Sequence, residues 1–96
     1  MKKMLFTASI LLLPLFGHAA QDPQAIFDRA CGACHNGQLP TAPQKSDKAA
    51  WEPRLAKGMD TLVQSVTNGL TAMPPRGLCM DCTAEDYRGV IELMSQ

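Results

Sequence analysis

Aromatic residues are scarce in this chain: three Phe, one Trp and one Tyr among 96 residues. A small unit so short of large rings builds only a thin core from its own side chains, and burial alone rarely supplies more than about 3–5 kcal/mol at this size. Something besides packing has to staple it. Net charge is absent as well, because nine basic residues balance nine acidic ones and no segment concentrates Lys and Arg. That argues against nucleic acid as a partner. The alternation of apolar and polar residues that marks a half-buried strand is missing, which leaves helices and loops. Internal repeats and low-complexity stretches are missing too. No apolar run reaches the roughly 20 residues of a membrane-spanning helix. The longest, from Met4 to Phe16, is interrupted by Pro14.

That run has the form of a secretory signal peptide: Lys2 and Lys3 precede it, and the small residues of Gly17-His18-Ala19-Ala20 come after it. Cleavage after Ala19 puts Gly17 and Ala19 at the two positions that should be small, whereas cleavage after Ala20 would put His18 at one of them. The expected organisation is a signal peptide over residues 1–19 and one domain over residues 20–96. Export would remove His18, leaving His35 as the only imidazole, and would remove Lys2 and Lys3, leaving the domain two charges negative. It would also bring the four cysteines into an oxidising compartment, where an even number usually means disulfides or covalent cofactor attachment.

Those cysteines form two Cys-x-x-Cys pairs that differ in the residue after the second thiol. Cys31-Gly32-Ala33-Cys34-His35 is the attachment signature of a c-type haem. Thiols at this spacing can add across the two vinyl groups of a haem, and the next residue carries the proximal imidazole under the iron. Cys79-Met80-Asp81-Cys82 is followed by Thr83, so it lacks the ligand a second haem would need. In an exported chain its simplest reading is a disulfide, one that closes too short a loop for much entropic gain and instead fixes local backbone shape. Two alternatives remain open at this point. A thioredoxin-like dithiol needs an alternating strand and helix context that this sequence lacks. A zinc site of all four thiolates would leave His35, Met73 and the signal peptide without a role.

An iron held by one histidine needs a sixth ligand to stay closed to small molecules, and a methionine thioether also raises the reduction potential. Met73 is placed for this in Thr71-Ala72-Met73-Pro74-Pro75-Arg76-Gly77, where the paired prolines restrict the backbone that presents its sulfur. Met59 stands just before an expected helix cap and Met94 belongs to a helix face, which leaves Met80, tied into the second cysteine loop, as the one serious rival.

The remaining pattern gives short helices separated by loops. Asp22 is expected to cap a first helix with Pro23 in its opening turn and Ile26, Phe27 and Ala30 on one face. Residues 36–45 form a loop able to wrap a cofactor. A second helix is expected from Ser46 or Asp47 through Trp51 to Lys57, jogged by Pro53 and closed by Gly58. Asp60 is expected to cap a third, with Leu62, Val63 and Val66 inward and Gly69 past its end. Thr83 and Asp86 form an imperfect capping box for a last helix that presents Tyr87, Val90, Ile91 and Met94.

In order and spacing, Cys31-Gly-Ala-Cys34-His35, Ala42-Pro43, Asp47-Lys-Ala-Ala-Trp51-Glu-Pro53-Arg54, Gly58, Met73-Pro74-Pro75-Arg76-Gly77 and Cys79-x-x-Cys82 resemble bacterial cytochrome c5 over nearly all of residues 20–96. The resemblance implies the all-α class I cytochrome c fold, with short helices wrapped around one covalent haem c and the first and last helices crossing. By position, it implies Cys31 and Cys34 as thioether residues, His35 and Met73 as axial ligands of the iron, a Cys79–Cys82 disulfide, and the Pro43 carbonyl orienting the proximal imidazole. Two positions depart from the family pattern, Thr41 and Ser46, where glycine is common; the path of the loop is the feature they bear on.

Trp51 has two expected roles, donation to a haem propionate or simple packing, and Arg54 and Arg76 are candidates for propionate pairing. Phe27 and Tyr87 are expected to meet where the first and last helices cross. The implied activity is not enzymatic: a periplasmic carrier in a respiratory chain passes one electron by outer-sphere transfer. Its donor would be a reductase or quinol-oxidising complex and its acceptor an oxidase or reductase, in weak, transient contact, with room for peripheral membrane association. A small haem peroxidase or gas sensor would need a labile sixth site, and no distal histidine is present to serve one.

Overall fold

The computed structural model describes Ser9 and residues 20–96, so the signal peptide and its cleavage site lie outside the described residues. The first helix is continuous from Pro23 to His35 in three segments: Pro23–Ile26, a wider π-helical turn Phe27–Cys31, and Gly32–His35. Asp22 stands at its N-cap position, but its side chain makes no capping bond. Proline explains the correction: Pro23 removes one of the orphan donors a cap would satisfy and presets φ for the helix. The π turn is a feature the apolar spacing did not suggest. It is accommodated by Gly32, where a Cβ would stand 2.9 Å from the Phe27 carbonyl oxygen and 3.3 Å from its ring.

The loop after His35 folds back, with Lys45 N–H donating to the His35 carbonyl at 3.0 Å and Ser46 N–H to the Met94 carbonyl at 2.7 Å. Ser46 has φ of 70°, so the left-handed backbone that glycine would favour is kept here by serine. Asp47 then caps the second helix, Lys48–Leu55, its side chain accepting from Ala50 N–H. Gly58, at φ of 93°, occupies the N-cap of the third helix, Met59–Asn68. Asp60 therefore does not cap that helix as the sequence suggested. It sits in the first turn, where a carboxylate still favours the helix dipole, and it pairs with Arg88 of the last helix.

The last helix is Ala84–Met94, and its capping box is complete despite the short Asp side chain. Asp86 does more than cap. Buried to 3 % exposure, its carboxylate accepts from Thr83 N–H at 2.8 Å, and it also receives the backbone N–H of Gln21 at 2.7 Å and the Gln21 side-chain amide at 3.2 Å. It thus ties the segment leading into the first helix to the start of the last.

The Thr83 N–H holds the Asp86 carboxyl below the usual carboxylate range, helped by the bonds from Gln21 and opposed by burial. A depressed folded-state pKa contributes stability that is present above the unfolded carboxylate pKa and is lost as pH falls through the folded value. Denaturant midpoints of the native protein should therefore fall on acidification from about pH 6 to about pH 2. Asp86→Asn should be less stable at the higher pH and show a smaller fall; an equal fall in both proteins would remove Asp86 from the account.

The first and last helices approach closely at Gly89, where a Cβ would stand 3.2 Å from Pro23 Cγ. Phe27 and Tyr87 belong to the same buried cluster as Ile26, Ala30, Trp51, Val63, Val90, Ile91 and Met94. Each also has a polar partner of its own. Phe27 carries the Lys45 ammonium 5.2 Å above its ring, and the Tyr87 hydroxyl bonds to the Cys79 carbonyl. Among the described residues the architecture is all-α, its one extended pairing being the bridge between Leu70 and Met73.

Candidate functional site

His35, the last residue of the first helix, is 8 % exposed. Its Nδ1 lies 2.7 Å from the Pro43 carbonyl oxygen. A carbonyl can only accept, so Nδ1 carries the proton of the neutral ring and the lone pair is left on Nε2, the atom free to bind a metal. The adjoining residue performs the same service for a second ring: the Gln44 carbonyl accepts the indole N–H of Trp51 at 2.8 Å. The two rings stack with centroids 6.0 Å apart and planes 26° apart. Consecutive carbonyls thus hold imidazole and indole together. Of the two roles expected for Trp51, the structure takes packing, because its only side-chain N–H is already bonded.

Cys31 and Cys34 are half-buried and are not joined in a disulfide. Burial pushes the Cys31 thiol up, against its own backbone N–H and the nearby Arg29. Both line a cavity of about 180 Å³ together with His35 and Met73. Its remaining wall is chiefly apolar and includes Leu62, Val66, Val90, Ile91 and Met94. Arg54 borders the cavity and also donates to the Ala50 carbonyl at 2.6 Å, whereas the Arg76 guanidinium is turned to the Met80 carbonyl at 3.0 Å.

Met73 is presented by a tight turn. Its N–H donates to the Leu70 carbonyl at 2.8 Å, and Leu70 N–H donates to the Met73 carbonyl at 3.0 Å. Its methyl group lies over Gly77, where a Cβ would stand 3.0 Å away. Of the other methionines, Met59 packs on the core and does not line the cavity, and Met80 is 67 % exposed. Met94 does reach the cavity wall, as a buried residue of the last helix.

After the paired prolines, Arg76, Gly77 and Leu78 have φ of 66°, 56° and 65°. Two non-glycine residues in this region are strained by roughly 1–2 kcal/mol each. Cys79 and Cys82 are joined by a disulfide. This overturns the four-thiolate zinc alternative, since two of its sulfurs are bonded to each other and have no thiolate to give. Asp81 lies beside the disulfide, but its carboxylate pairs with Arg29. Tyr87 lines the cavity and donates its hydroxyl to the Cys79 carbonyl at 2.9 Å; burial pushes its phenol up, so it stays a donor.

Two thiols, an imidazole with its lone pair free and a thioether around an apolar cavity suit a planar, hydrophobic iron macrocycle held covalently. Residues 18–94 match the family model described as cytochrome c oxidase, cbb3-type, subunit III. The chain is 40% identical over 81 residues to cytochrome c5 of Azotobacter vinelandii, an alignment covering 82% of this chain and 98% of that one. The chain belongs to the cytochrome c5 family.

Solved structures agree with this membership. A mono-heme ferrocytochrome c from Shewanella putrefaciens is 55% identical with a TM-score of 0.71, over 80% of this chain and 95% of that one. A cytochrome c crystallised in an electron-transfer complex with nitrite reductase is 33% identical with a TM-score of 0.69, at the same coverages. The fold is that of a class I cytochrome c. As a member of the cytochrome c5 family, the chain takes one covalently bound haem c with its iron and works as an electron carrier, which sets aside the peroxidase and sensor alternative. Sequence reasoning missed the π turn, the Gln44 carbonyl and the Tyr87 bond. Gly32 was the one available signal for the first; the other two rest on backbone acceptors, which leave no residue signature.

Proposed function

We propose that this member of the cytochrome c5 family is a periplasmic carrier with His35 and Met73 as axial ligands, shuttling single electrons between partners of a respiratory chain. The observation that carries the ligand set is the His35 Nδ1–Pro43 bond, which leaves Nε2 as the binding atom in a cavity shared with Cys31, Cys34 and Met73. Cys31 and Cys34 hold the macrocycle through thioether bonds. When bound, the haem supplies an iron that alternates between ferric and ferrous states, so no bond to a substrate is made. The Pro43 carbonyl fixes the imidazole plane and raises the basicity of the ligand. Leu62, Val66, Val90 and Ile91 exclude water from the site, and Met73 favours the ferrous form.

Leu70 and Leu78 line the cavity and are more than half exposed. They give the mouth an apolar rim suited to a small, transient contact. The neighbour solved with nitrite reductase supports a redox enzyme as one partner. No helix among the described residues is long and apolar enough to cross a membrane, and any membrane association is proposed to be peripheral.

Cell fractionation with haem staining of denaturing gels, followed by N-terminal sequencing, tests export and attachment together. A haem-stained periplasmic species beginning at Ala20 and titrating as a one-electron couple is the expected result. A cytoplasmic or unstained product would overturn the proposal.

A further inference from the structure

Between Met73 and the disulfide the chain passes through the left-handed turn at Arg76, Gly77 and Leu78. A backbone held in a sparsely populated region relaxes unless the structure around it over-determines it. On the Met73 side, the reciprocal bonds with Leu70 provide that hold. On the other side it rests on Cys79, which is fully buried. The Cys79 carbonyl accepts the Tyr87 hydroxyl at 2.9 Å, a buried bond, and its other donor, Cys82 N–H, lies at 3.4 Å. The turn also closes on itself, Gly77 N–H donating to the Pro74 carbonyl at 3.0 Å and Cys79 N–H to the Arg76 carbonyl at 3.0 Å, whereas the side-chain ties from Arg76 to the Met80 carbonyl, from Arg29 to Asp81 and from Gln21 to the Asp81 carbonyl are exposed.

We propose that Tyr87 is a positioning residue for Met73: by holding the Cys79 carbonyl, its hydroxyl keeps the turn at Arg76–Leu78 wound and so keeps the Met73 thioether in the cavity. The disulfide gives this hold a rigid end, and the last helix gives it a fixed origin. The proposal rests on Met73 as the sixth ligand. It adds that the strength of that ligation is set from the last helix, by a hydroxyl bonded to a backbone carbonyl.

The test is an imidazole titration of the ferric holoprotein, following the weak far-red charge-transfer band of the iron–thioether bond. Tyr87→Phe keeps the ring and removes only the hydroxyl. The imidazole concentration that removes half of the band should fall about five-fold, as expected for loss of one buried hydrogen bond. An unchanged half-point, even with a lower denaturation midpoint, would overturn the proposal, because a merely structural tyrosine would move only global stability. Should Tyr87→Phe fail to take up haem, Leu78→Gly decides: relief of the left-handed strain should raise the half-point, and no rise would overturn the proposal. A native ferric protein with no far-red band would instead overturn the Met73 reading itself, which separates the two failures.

Discussion

Met73→Ala should abolish the far-red charge-transfer band of the oxidised protein and lower its reduction potential while covalent haem is retained. The sulfur is the only part of that side chain able to bind iron, and axial ligation is a dominant control on haem potentials, which span about 0.8 V among haem proteins. The variant should also become partly high-spin and bind small ligands such as imidazole or cyanide readily, because the sixth position opens. Visible and near-infrared spectra with a potentiometric titration provide the check. Retention of the band would show that another sulfur binds the iron. Met94 would then be the candidate, since it is the other methionine on the cavity wall.

The double substitution Cys31→Ala, Cys34→Ala carries the other large expected effect. Without thioether bonds, haem staining of a denatured gel should be lost. Folding should fail with it. A cavity of about 180 Å³ would have to be kept open or collapsed. At roughly 24 cal/mol per Å³, an empty cavity of that size costs about 4 kcal/mol. That is comparable with the whole of what a core of this size supplies, about 3–5 kcal/mol. Far-ultraviolet circular dichroism should therefore show most of the helical signal gone. A variant that kept native helicity without haem would show that the helices need no cofactor to pack.

Much of the site was legible in one dimension because its chemistry depends on short spacing. Cys31, Cys34 and His35 announce a haem by being adjacent, and the absence of a histidine after Cys82 rules out a second. Helix faces were legible for the same reason: Tyr87, Val90, Ile91 and Met94 recur at helical spacing and are all buried. Helix starts were less so. Asp22 and Asp60 are residue types that cap, but Pro23 and Gly58 had already settled those starts through backbone geometry. Asp86 was visible as a cap, whereas its bonds to Gln21, 65 residues away, were not.

The sequence by itself determined the cofactor chemistry, the candidate ligand residues and the all-helical class, because each follows from residue identity at fixed local spacing. Only the tertiary structure decided which atoms are free to act. It assigned the Nδ1 proton of His35 to Pro43, spent the Trp51 indole on Gln44, turned Arg76 away toward Met80, and gave the Tyr87 hydroxyl to the Cys79 carbonyl. The physical reason is that buried polar groups must find partners. Most of the partners found here are backbone carbonyls brought close by folding, and a carbonyl is the same in every residue.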